Sequence, residues 1–104
     1  MRLHELKCWP SPFRLTVADE KRFEIRSNED RNFEIGDFLH LREWNPVTRE
    51  YTGMSVVVRV DVIVPGLRWG LSGKLVIMET TRVRPIEPKT SLEAVIKAAG
   101  HLHL

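Results

Sequence analysis

The segment Lys21-Arg22-Phe23-Glu24-Ile25-Arg26 holds the residues most able to do chemistry together. From Arg22 on, charged and apolar side chains alternate, the period of a strand with one wet face. Phe23 and Ile25 are then expected on the dry side, and Arg22, Glu24 and Arg26 on the wet side. Two residues' rise puts Glu24 and Arg26 about 7 Å apart on that face. A carboxylate between cations stays ionised and accepts hydrogen bonds, for example from an exocyclic amino group. The guanidinium of Arg26 can fork onto a phosphate or a base edge. On pattern alone, a surface salt-bridge ladder of little energetic worth is the commoner reading.

Trp9, Trp44, Tyr51 and Trp69 form the aromatic set. Three of them adjoin expected turns or strand ends, where a ring can stack on a base. Core packing is the usual fate of tryptophan and is expected for at least two of the set. Trp9 is the favoured platform, since it leads into the helix that precedes Lys21. Glu43 shares a strand face with Leu39 and Leu41. Its carboxylate is expected either in solvent or in the mouth of the fold, with a partner such as Arg59. Asp37, after Gly36, reads as a turn residue. Cys8 is the single cysteine, so neither an internal disulfide nor a paired-cysteine zinc site is available, and it is expected to be a small, partly buried residue. His4, His40, His101 and His103 lack ligand spacing, and no metal site or cofactor is expected. There is no phosphate-binding glycine loop, no G-x-S-x-G elbow and no HExxH.

These side chains need a scaffold. Leu3 to Lys7 reads as an edge strand. Ser11 is a candidate N-cap with Pro12 at the first helical position, giving a short helix over residues 11–18. The segment 22–26 is a strand, 27–32 a polar loop, and Ile35-Gly36-Asp37 a tight turn in which glycine supplies a positive φ. Phe38 to Trp44 is a strand. A long extended run starts at Tyr51, with Val56, Val58, Val60, Val62 and Val64 on one face, and stops at Pro65-Gly66. Residues 67–73 read as a loop and 74–78 as a buried strand, which 80–84 continue after a bend. Thr90-x-x-Glu93 is a capping box, followed by Leu92, Val95, Ile96 and Ala99 at helical spacing. Such short strands with two small helices fit a small barrel, whose closure removes exposed strand edges.

The chain has 104 residues, the length of one domain, with 42% hydrophobic and 29% charged residues. That composition suits a globular chain rather than a disordered one. No apolar run approaches the roughly 20 residues of a membrane helix, and the charged start MRLHELKCWP does not resemble a signal peptide. No membrane contact and a cytoplasmic location are expected. Residues 1–81 hold 12 basic and 12 acidic residues, so the formal excess of +2 comes from the tail after them. Nucleic acid would therefore be held by a local pocket or stripe, not by bulk charge.

HELKCWP, KRFEIRSNEDRNFEIGDFLHLREWNP, and EYTG with a valine-rich strand after it occur in that order. From about His4 to Met78 the chain resembles small bacterial and phage proteins of the ASCH type. ASCH domains in turn resemble PUA domains, which are compact RNA-binding β-barrels. Lys21, Glu24 and Arg26 match the hallmark G-x-K-x-x-E-x-R, while Asp19 stands at its glycine. The resemblance implies a cleft in the barrel mouth, lined by the hallmark residues, that binds RNA or a modified nucleobase. One ASCH branch removes an acyl group from acetylated cytidine using a lysine and a threonine at the hallmark and a later glutamate. Lys21 stands at that lysine, but Glu24 stands at the threonine.

The expected fold is mainly β with short helices (α+β): a PUA-like/ASCH β-barrel over residues 1–84, and a tail, 85–104, with a short amphipathic helix. The expected function is RNA or modified-nucleobase binding. Trp9 would stack, Glu24 would read a donor edge, and Lys21, Arg22 and Arg26 would hold phosphates or acceptors, with Trp44 and Tyr51 as further base contacts. One alternative is an amidohydrolase of N-acylated nucleosides, with Lys21 as acid/base and Glu24 or Glu43 activating water. The other is a protein-interaction factor whose terminal helix docks on a partner or pairs two copies as a weak homodimer.

Overall fold

The computed structural model describes residues 1–86. The expected terminal helix and its Thr90 capping box lie outside the described residues. The elements run β1 (Leu3–Cys8), α1 (Pro10–Val17), β2 (Phe23–Ser27), β3 (Phe38–Asn45), β4 (Glu50–Pro65), a 3-10 turn (Gly66–Trp69) and β5 (Leu75–Ile86). The five strands form one sheet in the order β1-β3-β4-β5-β2. β1 runs parallel to β3, and every other neighbouring pair is antiparallel.

The architecture is mainly β, with one short helix among the described residues, and the sheet curls into a half-barrel. The expected closure is incomplete. β1 and β2 end the sheet on opposite sides and share no ladder. Instead Arg26 of β2 reaches across and donates from Nη1 to the carbonyl oxygen of Lys7 in β1, at 3.1 Å. Helix α1 lies between these two strands in sequence and packs on β3, β4 and β5, so the concave face is filled from the connection.

The core is one cluster on that face. Leu6 and Cys8 come from β1, Phe13 from α1, Leu39 and Leu41 from β3, Val56, Val58 and Val60 from β4, Met78 from β5, and Phe33 from the loop before β3. Each fully buried aliphatic side chain contributes about 1.5–3 kcal/mol. None of the aromatic set Trp9, Trp44, Tyr51 and Trp69 belongs to it. A single concave layer of this size is filled by Leu, Val, Phe and Met, so the expected burial of two of that set does not occur.

Local sequence explains most of the elements, and three of them depart from expectation. Helix α1 starts earlier than expected: Trp9 is the N-cap, without a side-chain cap bond, and Pro10, not Pro12, opens the helix. At its other end the Arg82 guanidinium caps the Val17 carbonyl. The β4 faces change because the register slips between Val60 and Val62. Val56, Val58 and Val60 point inward, but beyond Asp61 the inward position passes to Ile63, and Val62 is exposed. Gly36 takes φ +92°, as the turn before β3 requires. The third departure is β2, whose expected faces are exchanged: Glu24 is buried, while Phe23 and Ile25 are 47% and 45% exposed. No helix among the described residues is long and apolar enough to cross a membrane.

Candidate functional site

The gap between β1 and β2 that Arg26 bridges is an open cleft of about 560 Å³. One wall carries Lys7, Cys8, Trp9 and Pro12, from the end of β1 and the start of α1. The other carries Lys21 and the β2 run from Phe23 to Arg26. Glu24 is only 4% exposed, and Trp9 at the rim is 57% exposed. The exchanged faces of β2 have their reason here. With no sixth strand between β1 and β2, the inward positions of β2 look into a wet cleft. A carboxylate with two cations suits that place better than Phe23 or Ile25.

Glu24 is held on both oxygens. Arg26 approaches Oε1 with Nε at 3.0 Å and Nη2 at 2.9 Å. Lys21 donates to Oε2 and also, at 2.5 Å, to the carbonyl oxygen of Phe23. A carboxylate offers about four acceptor sites, so roughly one, on Oε2, is left for a ligand donor. Burial of this charge is tolerable because it is paired. The cations are themselves partly solvated, which leaves them able to turn to an anionic ligand.

Cys8 lies beside this triad. Burial, reinforced by the nearby Glu24 charge, pushes its thiol up to about 11, against the pull of Arg26 and Lys21. A protonated thiol is neither a nucleophile nor a metal ligand. Among the described residues no three His, Cys, Asp or Glu side chains are grouped so that they could hold a metal ion.

Of the residues singled out in the sequence, Trp9, Lys21, Glu24 and Arg26 come together in the cleft. Arg22 does not. Its guanidinium turns back to Asp19, at 3.3 Å, on the exposed α1–β2 connection. Glu43 is buried on the inner face opposite Cys8. Its partners are Thr52 Oγ1, which donates at 2.8 Å, and Arg14, 3.9 Å away. The expected Arg59 partner pairs with Asp61 instead, at 2.7 Å. A slip in the β3–β4 register between Arg42 and Trp44 leaves Thr52 to Met54 bulged, with Gly53 at φ +93°, and the Thr52 hydroxyl reaches Glu43 from this bulge. Trp44 and Tyr51 sit opposite each other on the outer face, with Lys7 Nζ 4.1 Å from the Trp44 ring centroid and Arg42 3.9 Å from that of Tyr51.

Sequence reasoning missed one buried pair. His4 Nε2 lies 2.8 Å from Asp37 Oδ2, with Asp37 1% exposed. Asp37 also accepts from the backbone amides of Arg2 and Glu34. Burial works to raise its pKa, but the hydrogen bonds from His4 and these amides prevail and hold it below the ordinary carboxylate value. The available signal was the inward period His4, Leu6, Cys8, which put an imidazole on the core side of β1. His40 was not singled out as a site. Burial holds its pKa below the ordinary value, and neither ring nitrogen has a hydrogen-bond partner.

The model of the family DUF3850, described as a domain of unknown function, matches residues 3–80. The chain belongs to the DUF3850 family. The DUF3850 match spans both cleft walls and all five strands down to Thr80. The chain is also similar to an "Uncharacterized 12.9 kDa protein in GpA 3'region" of Escherichia phage P2, with 37% identity over 68 residues. That match covers 65% of this chain and 60% of the phage protein.

Proposed function

We propose that the cleft between β1 and β2 binds RNA or a modified nucleobase, and that the half-barrel is a PUA-like module of the ASCH type. The carrying observation is the buried Glu24 carboxylate, held by Lys21 and Arg26, in the lining of a cleft that has an exposed tryptophan at its rim. An amino-bearing base edge is the complementary ligand surface. Trp9 supplies a stacking face, worth about 1–3 kcal/mol per base. Lys21 and Arg26 supply the cations for phosphate. One backbone feature supports the alignment to the ASCH hallmark. Asp19, at its glycine position, takes φ +63°, the left-handed conformation that glycine adopts most readily.

The test is binding of a panel of nucleosides and short single-stranded RNAs to the full chain. Glu24→Gln is expected to abolish the preference for amino-bearing bases over uracil, and Lys21→Ala to weaken all ligands alike. Equal loss across every base in both variants would overturn the assignment of Glu24.

The contact between Lys21 and Glu24 inside the cleft also supports a second reading, hydrolysis of N-acylated nucleosides. Glu43, the other candidate base, contacts Thr52 and does not line the cleft. Product release from acylated nucleosides, compared with Lys21→Ala, tests it. Absence of turnover above that variant ends it.

A further inference from the structure

Lys7 belongs to two surfaces at once. It lines the cleft, and its ammonium lies over Trp44 on the outer face of the sheet. In the β1–β3 register it stands opposite Arg42, and in the β3–β4 register Trp44 stands opposite Tyr51. Alternation puts Lys7, Arg42, Trp44 and Tyr51 on the same face, on strands about 4.8 Å apart. The result is a staggered row across three strands, with two rings that each have a cation over them. Tyr51 and Lys7 are exposed, and Trp44 and Arg42 are half-buried.

We infer that the cleft ligand is a single strand of nucleic acid several nucleotides long, which leaves the cleft over Lys7 and continues onto the Trp44–Tyr51 face. The inference rests on the nucleotide-binding reading of the cleft. A lone nucleoside in the cleft would reach Trp9, Lys21, Glu24 and Arg26 but not Arg42, Trp44 or Tyr51, none of which lines the cleft. A polyanion uses both halves: its phosphates draw the two cations off the rings, and its bases take the ring faces thus uncovered. The charge along this path fits such a ligand, with Lys7, Lys21, Arg26 and Arg42 outweighing Glu5 and Glu24. Glu5 holds Arg42 at 2.8 Å, and its side chain is well solvated, so a phosphate can replace it.

The test compares cytidine 5′-monophosphate with labelled oligocytidylates of two, four and eight nucleotides on the full chain. Affinity is expected to rise at least tenfold from the mononucleotide to the tetramer. The double variant Trp44→Ala/Tyr51→Ala is expected to return the tetramer to the mononucleotide's affinity and to leave the mononucleotide unchanged. Lys7→Gln, an exposed and conservative change, is expected to reduce the salt slope of tetramer binding by about 0.7, as one lost phosphate contact requires. A tetramer that binds no tighter than the mononucleotide overturns the strand path but leaves the cleft reading standing. The path is also overturned if both outer-face variants keep the tetramer's affinity and salt slope. Binding of neither ligand overturns the path and the cleft reading together.

Discussion

A buried carboxylate in a small half-barrel must be paired or neutralised, and Glu24 is paired on both oxygens. In the same pocket the charged form of its neighbour Cys8 is opposed by burial and by Glu24. With the thiol moved from its ordinary 9.0 to about 11, the thiolate fraction at pH 7.5 falls about a hundredfold. The more basic thiolate is the better nucleophile and offsets part of this, so a disulfide reagent is expected to react with Cys8 at least ~10-fold more slowly than with an unperturbed cysteine thiol. The rate should keep climbing to about pH 11. A plateau near pH 8 would contradict the geometry around the thiol. Lys21, Glu24 and Arg26 were legible as a group because charged residues two and three apart near one strand have few ways to avoid one another. That Glu24 faces inward was not legible, because alternation defines two faces without saying which is dry.

At the scale of elements, the α1–β2 connection determines where Lys21 stands. After α1 the chain turns through Asp19 in the left-handed region, and the amides of Glu20 and Lys21 both bond the Leu15 carbonyl. Aspartate tolerates this conformation, and a β-branched residue does not. Asp19→Gly is expected to leave stability within about 1 kcal/mol of the parent, since the exposed ion pair with Arg22 contributes little. Asp19→Val is expected to cost about 1–3 kcal/mol in urea unfolding. Equal stability of the two variants would show that the turn is not strained as described. Helix α1 was legible in the sequence, though its start was not. Ser11 and Pro12 imitate a cap and first turn, but Trp9-Pro10 precedes them and Pro10 already has the right φ.

Across the whole molecule, the N-terminal strand is tied to the loop before β3 through Arg2, His4 and Asp37. This tie holds the parallel edge strand in place, because β1 has a neighbour on one side only. Asp37 is held below its ordinary 3.8 by the hydrogen bonds it accepts, against the opposing effect of burial. The unfolded chain therefore takes up the proton first on acidification. The stabilisation is complete above the unfolded value and is lost as pH falls through 3.8 and then through the native value. Asp37→Ala is expected to cost about 3 kcal/mol at neutral pH and to flatten the acid side of the stability profile. An unchanged acid limb in chemical denaturation across pH 2–6, a range of about four units chosen to bracket the carboxylate value, would rule out this role.

The sequence by itself outlined the strands, placed the Gly36 and Pro65 turns, and offered Trp9, Lys21, Arg22, Glu24, Arg26, Trp44 and Tyr51 as candidates, of which the structure brings Trp9, Lys21, Glu24 and Arg26 into one cleft. Those features are local: side-chain period, φ preference and charge spacing act within a few residues. Tertiary structure alone decided that the sheet stops short of closure, that Glu24 rather than Phe23 and Ile25 faces inward, and that His4 meets Asp37. The first two depend on how far apart β1 and β2 end up once α1 fills the concave face, and the third on the parallel pairing of β1 with β3; no short-range pattern carries either.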